Sequence, residues 1–177
     1  MDICKLLPDN SNIKLKYIKS DTDNNSKVII TSNRSRFTLS TLDPADFPLK
    51  TEQLNGFGIA IPQNKLRSLL NVTSFAIPQQ DVRHYLMGML WEFNQHEFRV
   101  VASDGHRLAM ASYSDSKIFP NCQIKVIMPR KSISELFRLL EDGDSDIFIN
   151  ISDKSAQITT NELTFKTKLV DAHFPSY

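Results

Sequence analysis

The sequence has little of what marks disulfide-rich, zinc-binding or strongly basic proteins. It contains two cysteines and five glycines, and lysine plus arginine number 21 against 20 for aspartate plus glutamate. Cys4 and Cys122 lie far apart without a Cys-x-x-Cys spacing, so reduced intracellular thiols are expected rather than a disulfide framework or a zinc site. The formal charge of +1 provides no global field for tight binding to nucleic acid or membranes.

Long apolar runs are also missing. No stretch approaches the roughly 18 residues that a membrane-spanning helix needs, and no charged-then-apolar leader opens the chain, so a cytoplasmic location without membrane contact is expected. Phosphate-binding glycine motifs and metal-like histidine spacings are absent, and we expect neither cofactor nor metal. The 177 residues, 41% hydrophobic and 23% charged, are typical of one or two globular domains.

A repeat of domain length organises the chain. The segments SRFTLSTLDPADFP and LTFKTKLVDAHFPSY both run from an alternating strand through Leu or Val, Asp and Ala to Phe-Pro, and Phe47 and Phe174 lie 127 positions apart. A period of this size corresponds to one domain. The second copy is complete from about residue 49 to residue 177, whereas the sequence before it predicts only the second half of a first copy.

Within the second copy, the pattern reads strand, helix and three strands, twice over. Strands are expected at 58–61, 84–93, 97–103, 107–113, 125–128, 146–152, 155–160 and 163–170. Helices are expected at 63–75 and 130–141, and their apolar residues at i, i+3, i+4 and i+7 indicate that each covers a sheet. The predicted class is α+β, with repeated half-domains and helices on one face of antiparallel sheets.

The segment VVASDGHRLAMAS places Asp104, Gly105, His106 and Arg107 between two strand-like runs. Asp-Gly is first a hairpin signal, because glycine adopts positive φ without a Cβ clash. A turn alone does not require the histidine and arginine that follow. A hydrolase that uses His106, Asp104 and Arg107 is one hypothesis, although Ser103, Asp104 and His106 are too close along one hairpin to converge as a triad.

The helices and one loop carry weakly positive polar faces. No carboxylate occurs at 63–75, where Lys65 and Arg67 lie, and Lys131 and Arg138 stand on the polar side of the second helix. A solvated surface explains this pattern, and the alternative is a surface near phosphates that does not grip them. The loop QQDVRHYL also allows both readings, because glutamine and histidine reach phosphates and tyrosine stacks on bases.

Three segments, FRVVASDGHRLAMAS, VIMPRKSISELFRLLEDGDSD and TKLVDAHFPSY, together resemble the bacterial DNA polymerase III β subunit, the replicative sliding clamp. The resemblance covers the whole chain. In this family, three similar domains form a chain, and two chains close into a homodimeric ring around duplex DNA. The resemblance implies a DNA-clamp fold, with the C-terminal half of domain one plus a linker at 1–55, domain two at 56–177 and no domain three.

The resemblance also implies a non-catalytic processivity factor and its sites. In the family, short peptides of the DNA polymerase III α subunit, the clamp loader and repair polymerases bind a cleft, and the matching positions here are Arg83, Tyr85, Leu86, Ser103, Gly105, His106, Arg107, Leu108 and Pro175. Contacts to double-stranded DNA map to Lys27, Gln80, His84, Tyr85, Lys131 and Arg138. The dimer interface maps to Arg34, Arg36, Phe37 and Leu39. A stand-alone, non-specific DNA-binding module is the alternative, and it predicts tight binding of linear duplex.

Overall fold

The computed structural model describes residues 2–19, 26–47, 56–115 and 123–177. The chain forms two compact units, Met1–Glu52 and Gln53–Tyr177. The expected boundary at residue 55 and the thiol of Cys122 lie outside the described residues, as does the side chain of Cys4. No helix within the described ranges has the length and apolar character needed to cross a bilayer.

The first unit is a three-stranded antiparallel meander that follows a short helix, α1 (Asp2–Lys5). Its strands are β1 (Lys14–Ile18), β2 (Lys27–Ser32) and β3 (Ser35–Ser40), paired in that order. Asn33 turns the chain between β2 and β3 at a φ of 50°. Ile30 is the one apolar side chain that is buried among the described residues of this unit, and β1 is exposed along its whole length.

The second unit confirms the order of strand, helix and three strands, twice over. Its first half is β4 (Phe57–Pro62), α2 (Gln63–Thr73), β5 (Gly88–Phe93), β6 (Phe98–Ser103) and β7 (Leu108–Tyr113). Its second half is β8 (Ile124–Pro129), α3 (Arg130–Leu139), β9 (Asp146–Ile151), β10 (Ser155–Thr159) and β11 (Thr164–Lys168). The strands form two antiparallel sheets with the orders β7-β6-β5-β8 and β11-β10-β9-β4.

The two halves exchange their first strands. β4 opens the first half but pairs with β9 of the second, and β8 opens the second half but pairs with β5 of the first. Helix α2 packs against β4, β6 and β7, while α3 packs against β5 and β8. Since each sheet contains strands from both halves, neither half can complete its sheet without the other.

One apolar core lies between the sheets and the two longer helices. Its largest fully buried side chains include Trp91, Phe93 and Phe98. The rings of Phe93 and Phe98 stack with their centroids 4.4 Å apart, and Trp91 meets Phe98 edge to face at 5.2 Å. Leu66 of α2 and Leu136 of α3 are also buried in this core, as the helical periodicity predicts.

Several element ends differ from the sequence-based prediction. The strand expected at 84–93 begins at Gly88, because His84–Leu86 form a 3-10 turn in which the Met87 N–H donates to the His84 carbonyl at 3.1 Å. The helix expected to reach residue 75 ends at Thr73, and the strand expected to reach residue 170 ends at Lys168. Hydrophobic periodicity continued at these points, whereas the backbone hydrogen-bond ladder did not.

Candidate functional site

The face of sheet β7-β6-β5-β8 that points away from the core carries most of the candidate site, and is referred to as the outer face. Strand register places side chains in rows across it. The apolar row consists of Met110, Val101, Leu90 and Ile127. The charged row beside it consists of Ser112, Arg99, Glu92 and Lys125. On the other side of the apolar row, Leu108 pairs with Ser103.

The DGHR turn, residues 104–107, joins β6 to β7 next to this face. One carboxylate oxygen of Asp104 accepts the backbone N–H groups of His106 and Arg107, each at 3.0 Å. The other oxygen accepts from Arg107 Nε at 2.9 Å. The backbone hydrogen bonds lower the pKa of Asp104 below its usual value. Gly105, at a φ of 85°, completes the turn, so the hairpin prediction for Asp-Gly is confirmed.

Arg83 supports the turn from the preceding loop. Its Nη2 atom donates to the Asp104 carbonyl at 3.0 Å, and its guanidinium binds both carboxylate oxygens of Asp81 at 2.9 and 2.7 Å. The side-chain hydrogen bond from Arg83 lowers the pKa of Asp81 to about 2. The guanidinium also lies close over Gly105, since a Cβ there would be 2.7 Å from Arg83 Nη1.

The Ser103 hydroxyl and the Asp104 carboxylate are engaged in hydrogen bonds within the turn. The Ser103 hydroxyl donates to the Arg107 carbonyl at 2.8 Å and accepts from the Gly105 N–H at 3.1 Å. Asp104 binds backbone amides and Arg107 rather than the imidazole of His106. Among the described residues, no group of three or more His, Cys, Asp or Glu side chains is placed to hold a metal ion. This arrangement builds a turn that is held by hydrogen bonds between the side chains of Ser103 and Asp104 and the backbone of the turn.

Arg107 provides an exposed polar rim, and Leu108 provides exposed apolar surface. Arg107 Nη2 donates to the Phe75 carbonyl at 3.0 Å, and the guanidinium lies 5.5 Å from the centre of the Phe75 ring. His106 is exposed beside it. Leu108 is 46% exposed and Met110 is 54% exposed, so the apolar row is open at its β7 end.

Two of the expected cleft residues, Tyr85 and Leu86, are not fully exposed. Leu86 is 2% exposed, so the expectation that it lines the cleft surface is corrected: it supports the site from within the protein. Tyr85 is half-buried and packs against the cluster of Leu90, Val101 and Ile127.

Pro175 belongs to a chain segment, residues 170–177, that is referred to as the tail. Phe174 packs against the apolar row, and Pro175 itself is exposed. Pro175 lines a cavity of about 400 Å³ together with Glu92, Arg99 and Lys125. The residues of the DGHR turn do not line this cavity, so Pro175 shares the outer face with them but not this pocket.

Sequence reasoning missed the outer-face rows. The strand pattern alone does not distinguish Leu90, Val101 and Met110 from other strand residues, and it does not single out Glu92 or Arg99. Alternation with a period of two was visible in these strands, and it shows which residues share a face. Only the register shows which residues of neighbouring strands stand side by side.

The expected DNA-contacting positions lie in three elements of the chain. Gln80 and His84 are exposed in the loop before β5, and Lys27 is exposed at the start of β2 in the first unit. Lys131 and Arg138 are exposed on α3, two helical turns apart. Arg138 lies 3.4 Å from Glu135, so its charge is partly compensated.

The positive charge of Arg67 on α2 is paired within the protein. This side chain donates to the carbonyls of Phe137 and Leu140, each at 2.8 Å, and pairs with Asp142 at 2.7 Å. Its guanidinium also lies 4.5 Å from the centre of the Phe137 ring. The contacts of Arg67 join α2 to the end of α3 and disfavour the alternative in which this side chain lies near phosphates.

The expected interface residues lie on or beside an edge strand. β3 pairs only with β2 within the described sheet, and Arg34 lies in the turn that precedes it. Phe37 and Leu39 point to the same side of β3, where Leu39 is 43% exposed and Phe37 is half-buried. Arg36 is exposed on the other side. This edge is open to pairing with another chain.

Family models match both units of the chain. Residues 60–176 match the family model of the DNA polymerase III beta subunit, central domain, and residues 1–51 match that of its N-terminal domain. A beta sliding clamp of Pseudomonas aeruginosa is 46% identical over all 177 residues, which are 46% of that protein. The beta sliding clamp of Escherichia coli K12 is 38% identical over 99% of this chain and 46% of its own length.

Solved structures show the same similarity. The DNA polymerase III subunit beta of P. aeruginosa matches with a TM-score of 0.84 and 46% identity, covering 100% of this chain and 47% of that one. A sliding clamp of Bartonella birtlesii bound to griselimycin matches with a TM-score of 0.82 and 33% identity, over 99% of this chain and 46% of that one. The architecture is thus the DNA-clamp fold. The chain belongs to the DNA polymerase III beta subunit family, and it spans about half the length of the relatives it matches.

Proposed function

We propose that this chain acts as part of a cytoplasmic sliding clamp, a non-catalytic processivity factor in DNA replication. In the complete homodimeric ring it helps to encircle duplex DNA and tethers other replication and repair proteins to it. The observation that carries the proposal is the DGHR turn beside two exposed apolar side chains, Leu108 and Met110, of which Met110 is the open end of the apolar row. Residues 1–55 and 56–177 are proposed as the second half of domain one and as domain two.

The outer face suits a short peptide with an apolar anchor. Leu108 and Met110 offer exposed apolar surface, and His106 and Arg107 stand beside them as polar groups. Sites of this type fix one or two anchor side chains in an apolar recess and orient the peptide with a few polar contacts. The proposed partners are the DNA polymerase III α subunit, the clamp loader and repair polymerases, each through a peptide that carries a glutamine and a leucine or phenylalanine.

Weak attraction to DNA is enough for a topological tether. Lys131 and Arg138 are exposed, but Arg138 faces Glu135 and Arg67 is engaged by Asp142. Because few phosphates are neutralised, affinity for linear duplex is low and falls with salt, which lets DNA slide through a ring. A stand-alone DNA-binding module requires a denser basic surface than these residues supply.

The subunit interface of the ring is proposed at the edge of β3. Phe37 and Leu39 give a small apolar centre, and Arg34 and Arg36 flank it with positive charge. Such a surface fits a partner with a matching apolar patch and acidic neighbours.

The direct test of the partner site is fluorescence anisotropy with a labelled peptide that carries the glutamine and the leucine or phenylalanine anchor. Leu108→Asp should weaken binding about thirtyfold, since loss of an anchor contact costs roughly 2 kcal/mol. Leu139→Asp is the matched control, because Leu139 is 40% exposed but lies on α3. Equal affinity of the Leu108→Asp variant and the unmodified chain would overturn the proposed site.

A further inference from the structure

The tail is attached to the outer face at three points. The Val170 N–H donates to the Ile127 carbonyl at 3.0 Å, which forms an isolated bridge to β8. Phe174 packs against the cluster that contains Leu90 and Ile127. The third attachment is polar: the Tyr177 hydroxyl donates a hydrogen bond to Glu92. The tail therefore crosses both the apolar row and the charged row.

Glu92 is an unusual residue for this position. It is 4% exposed, and it is the only carboxylate in the rows that register defines on the outer face. Burying an ionised carboxylate is costly unless charged and hydrogen-bonding partners surround it. Lys125 Nζ lies 2.5 Å from one oxygen and Arg99 Nη1 lies 3.8 Å from the other. The sheet itself thus supplies two cations, one on each neighbouring strand.

Tyr177 is the partner of Glu92 that comes from the tail. Besides donating to Glu92, its hydroxyl oxygen accepts from Arg99 Nη1 at 3.4 Å. The phenol is therefore inserted between an anion and a cation, and this fixes the direction of its O–H bond. Hydrogen bonds to charged groups are stronger than those between neutral groups, so this contact is a directional attachment for the end of the tail.

Pro175 lies between the two side-chain attachments. Phe174 precedes it and is held by the apolar row, and Tyr177 follows two residues later and is held by the charged row. Pro175 is exposed and makes no hydrogen bond through its nitrogen, since proline lacks the N–H. Its position on the outer face is consequently set by its neighbours on either side.

We propose that the Tyr177–Glu92 hydrogen bond is a latch that positions Pro175 for partner peptides, so that Glu92 and Tyr177 are positioning residues of the binding site. This inference rests on the proposed function. The hydrogen bond connects the charged row to the proposed peptide site, whose exposed apolar residues are Leu108 and Met110. Arg99 and Lys125 serve the latch by keeping Glu92 ionised and oriented.

The test compares Tyr177→Phe with the unmodified chain in the peptide-binding assay. This substitution removes only the hydroxyl, and it should weaken peptide binding about tenfold or more, in line with loss of one hydrogen bond to a charged group. In a Glu92→Leu background, whose side chain cannot accept a hydrogen bond, the same substitution should change affinity less than about twofold, because the two residues act through one contact. Ser112→Ala, at the far end of the charged row, is the control and should leave affinity unchanged.

A second readout examines the tail without any peptide. In the free protein, Tyr177→Phe should lower the {1H}-15N heteronuclear NOE of the Ser176 amide while that of Val101 stays high. If the unmodified chain binds the peptide and Tyr177→Phe binds it equally well, the latch is wrong although the site stands. If the unmodified chain fails to bind, the proposed function is contradicted, and an unchanged Ser176 NOE in Tyr177→Phe would then overturn the latch as well.

Discussion

At the scale of single residues, Gly105 shows how one backbone angle determines the DGHR turn. Its φ of 85° is costly for any residue with a Cβ, and a Cβ there would also displace the Arg83 guanidinium. Gly105→Ala should lower the free energy of unfolding by about 1–2 kcal/mol. Gly143→Ala is the control, because a Cβ at Gly143 meets no atom closer than 3.8 Å. Urea denaturation measures both, and equal stability of the two variants would refute the strain argument.

Glu92 and Tyr177 predict how stability depends on pH. Burial acts to raise the pKa of Glu92, but hydrogen bonds from Lys125 and Tyr177 outweigh it, and the pKa lies below its usual value. Burial, followed by the hydrogen bond to Glu92, raises the pKa of Tyr177. A lowered carboxyl pKa contributes stability above the unfolded-state pKa, and this contribution is lost as pH falls through the folded-state value. A raised phenol pKa contributes stability below the unfolded-state value that is lost as pH rises through the folded-state one.

The free energy of unfolding should therefore decline at both the acid and the alkaline end. Glu92→Gln should flatten the acid decline, and Tyr177→Phe should flatten the alkaline decline. Urea denaturation across pH measures these slopes. An alkaline decline that is the same with and without the Tyr177 hydroxyl would show that this phenol is not coupled to folding.

At the scale of elements, Arg67 joins the two longer helices. Its guanidinium binds the last carbonyls of α3 and the carboxylate of Asp142, and it stacks on Phe137. Arg67→Ala should destabilise the second unit by about 2 kcal/mol, because it leaves partly buried carbonyls without a donor. Arg67→Lys should recover little, since an ammonium group cannot reproduce the planar fork. The exposed Lys65→Ala is the control, and a thermal midpoint equally shifted by it would contradict this role.

The elements also show what the sequence could predict. Periodicities of 2 and 3.6 correctly predicted every strand and both longer helices of the second unit, because most of these elements bury one face, although β5 is buried on both. The exchange of β4 and β8 between sheets was not predictable, since pairing joins residues far apart in the chain. The 3-10 turn at His84–Leu86 was missed because its apolar residues continue the strand pattern. Leu86 was expected in the cleft from the family resemblance, and a resemblance does not show how far a side chain is buried.

At the scale of the whole molecule, the sparse basic surface predicts weak, sequence-independent DNA binding. Binding of linear duplex should fade between low and physiological salt, and Lys131→Glu with Arg138→Glu should abolish it. Lys154→Glu with Lys168→Glu makes the same change in net charge at exposed sites outside α3 and is the control. Filter binding at several salt concentrations distinguishes the two pairs. Sub-micromolar, salt-resistant binding would instead favour the stand-alone DNA-binding module.

The central claim is that the DGHR turn and the open end of the apolar row bind partner peptides. The most direct measurement is an NMR titration of the anchor peptide into the isotope-labelled chain, with chemical-shift changes mapped onto the residues. The account predicts that the changes cluster at Gly105, His106, Arg107 and Leu108 and are lost in Leu108→Asp. If the peptide binds while these four residues remain undisturbed, the claim is contradicted, and the turn is only a hairpin.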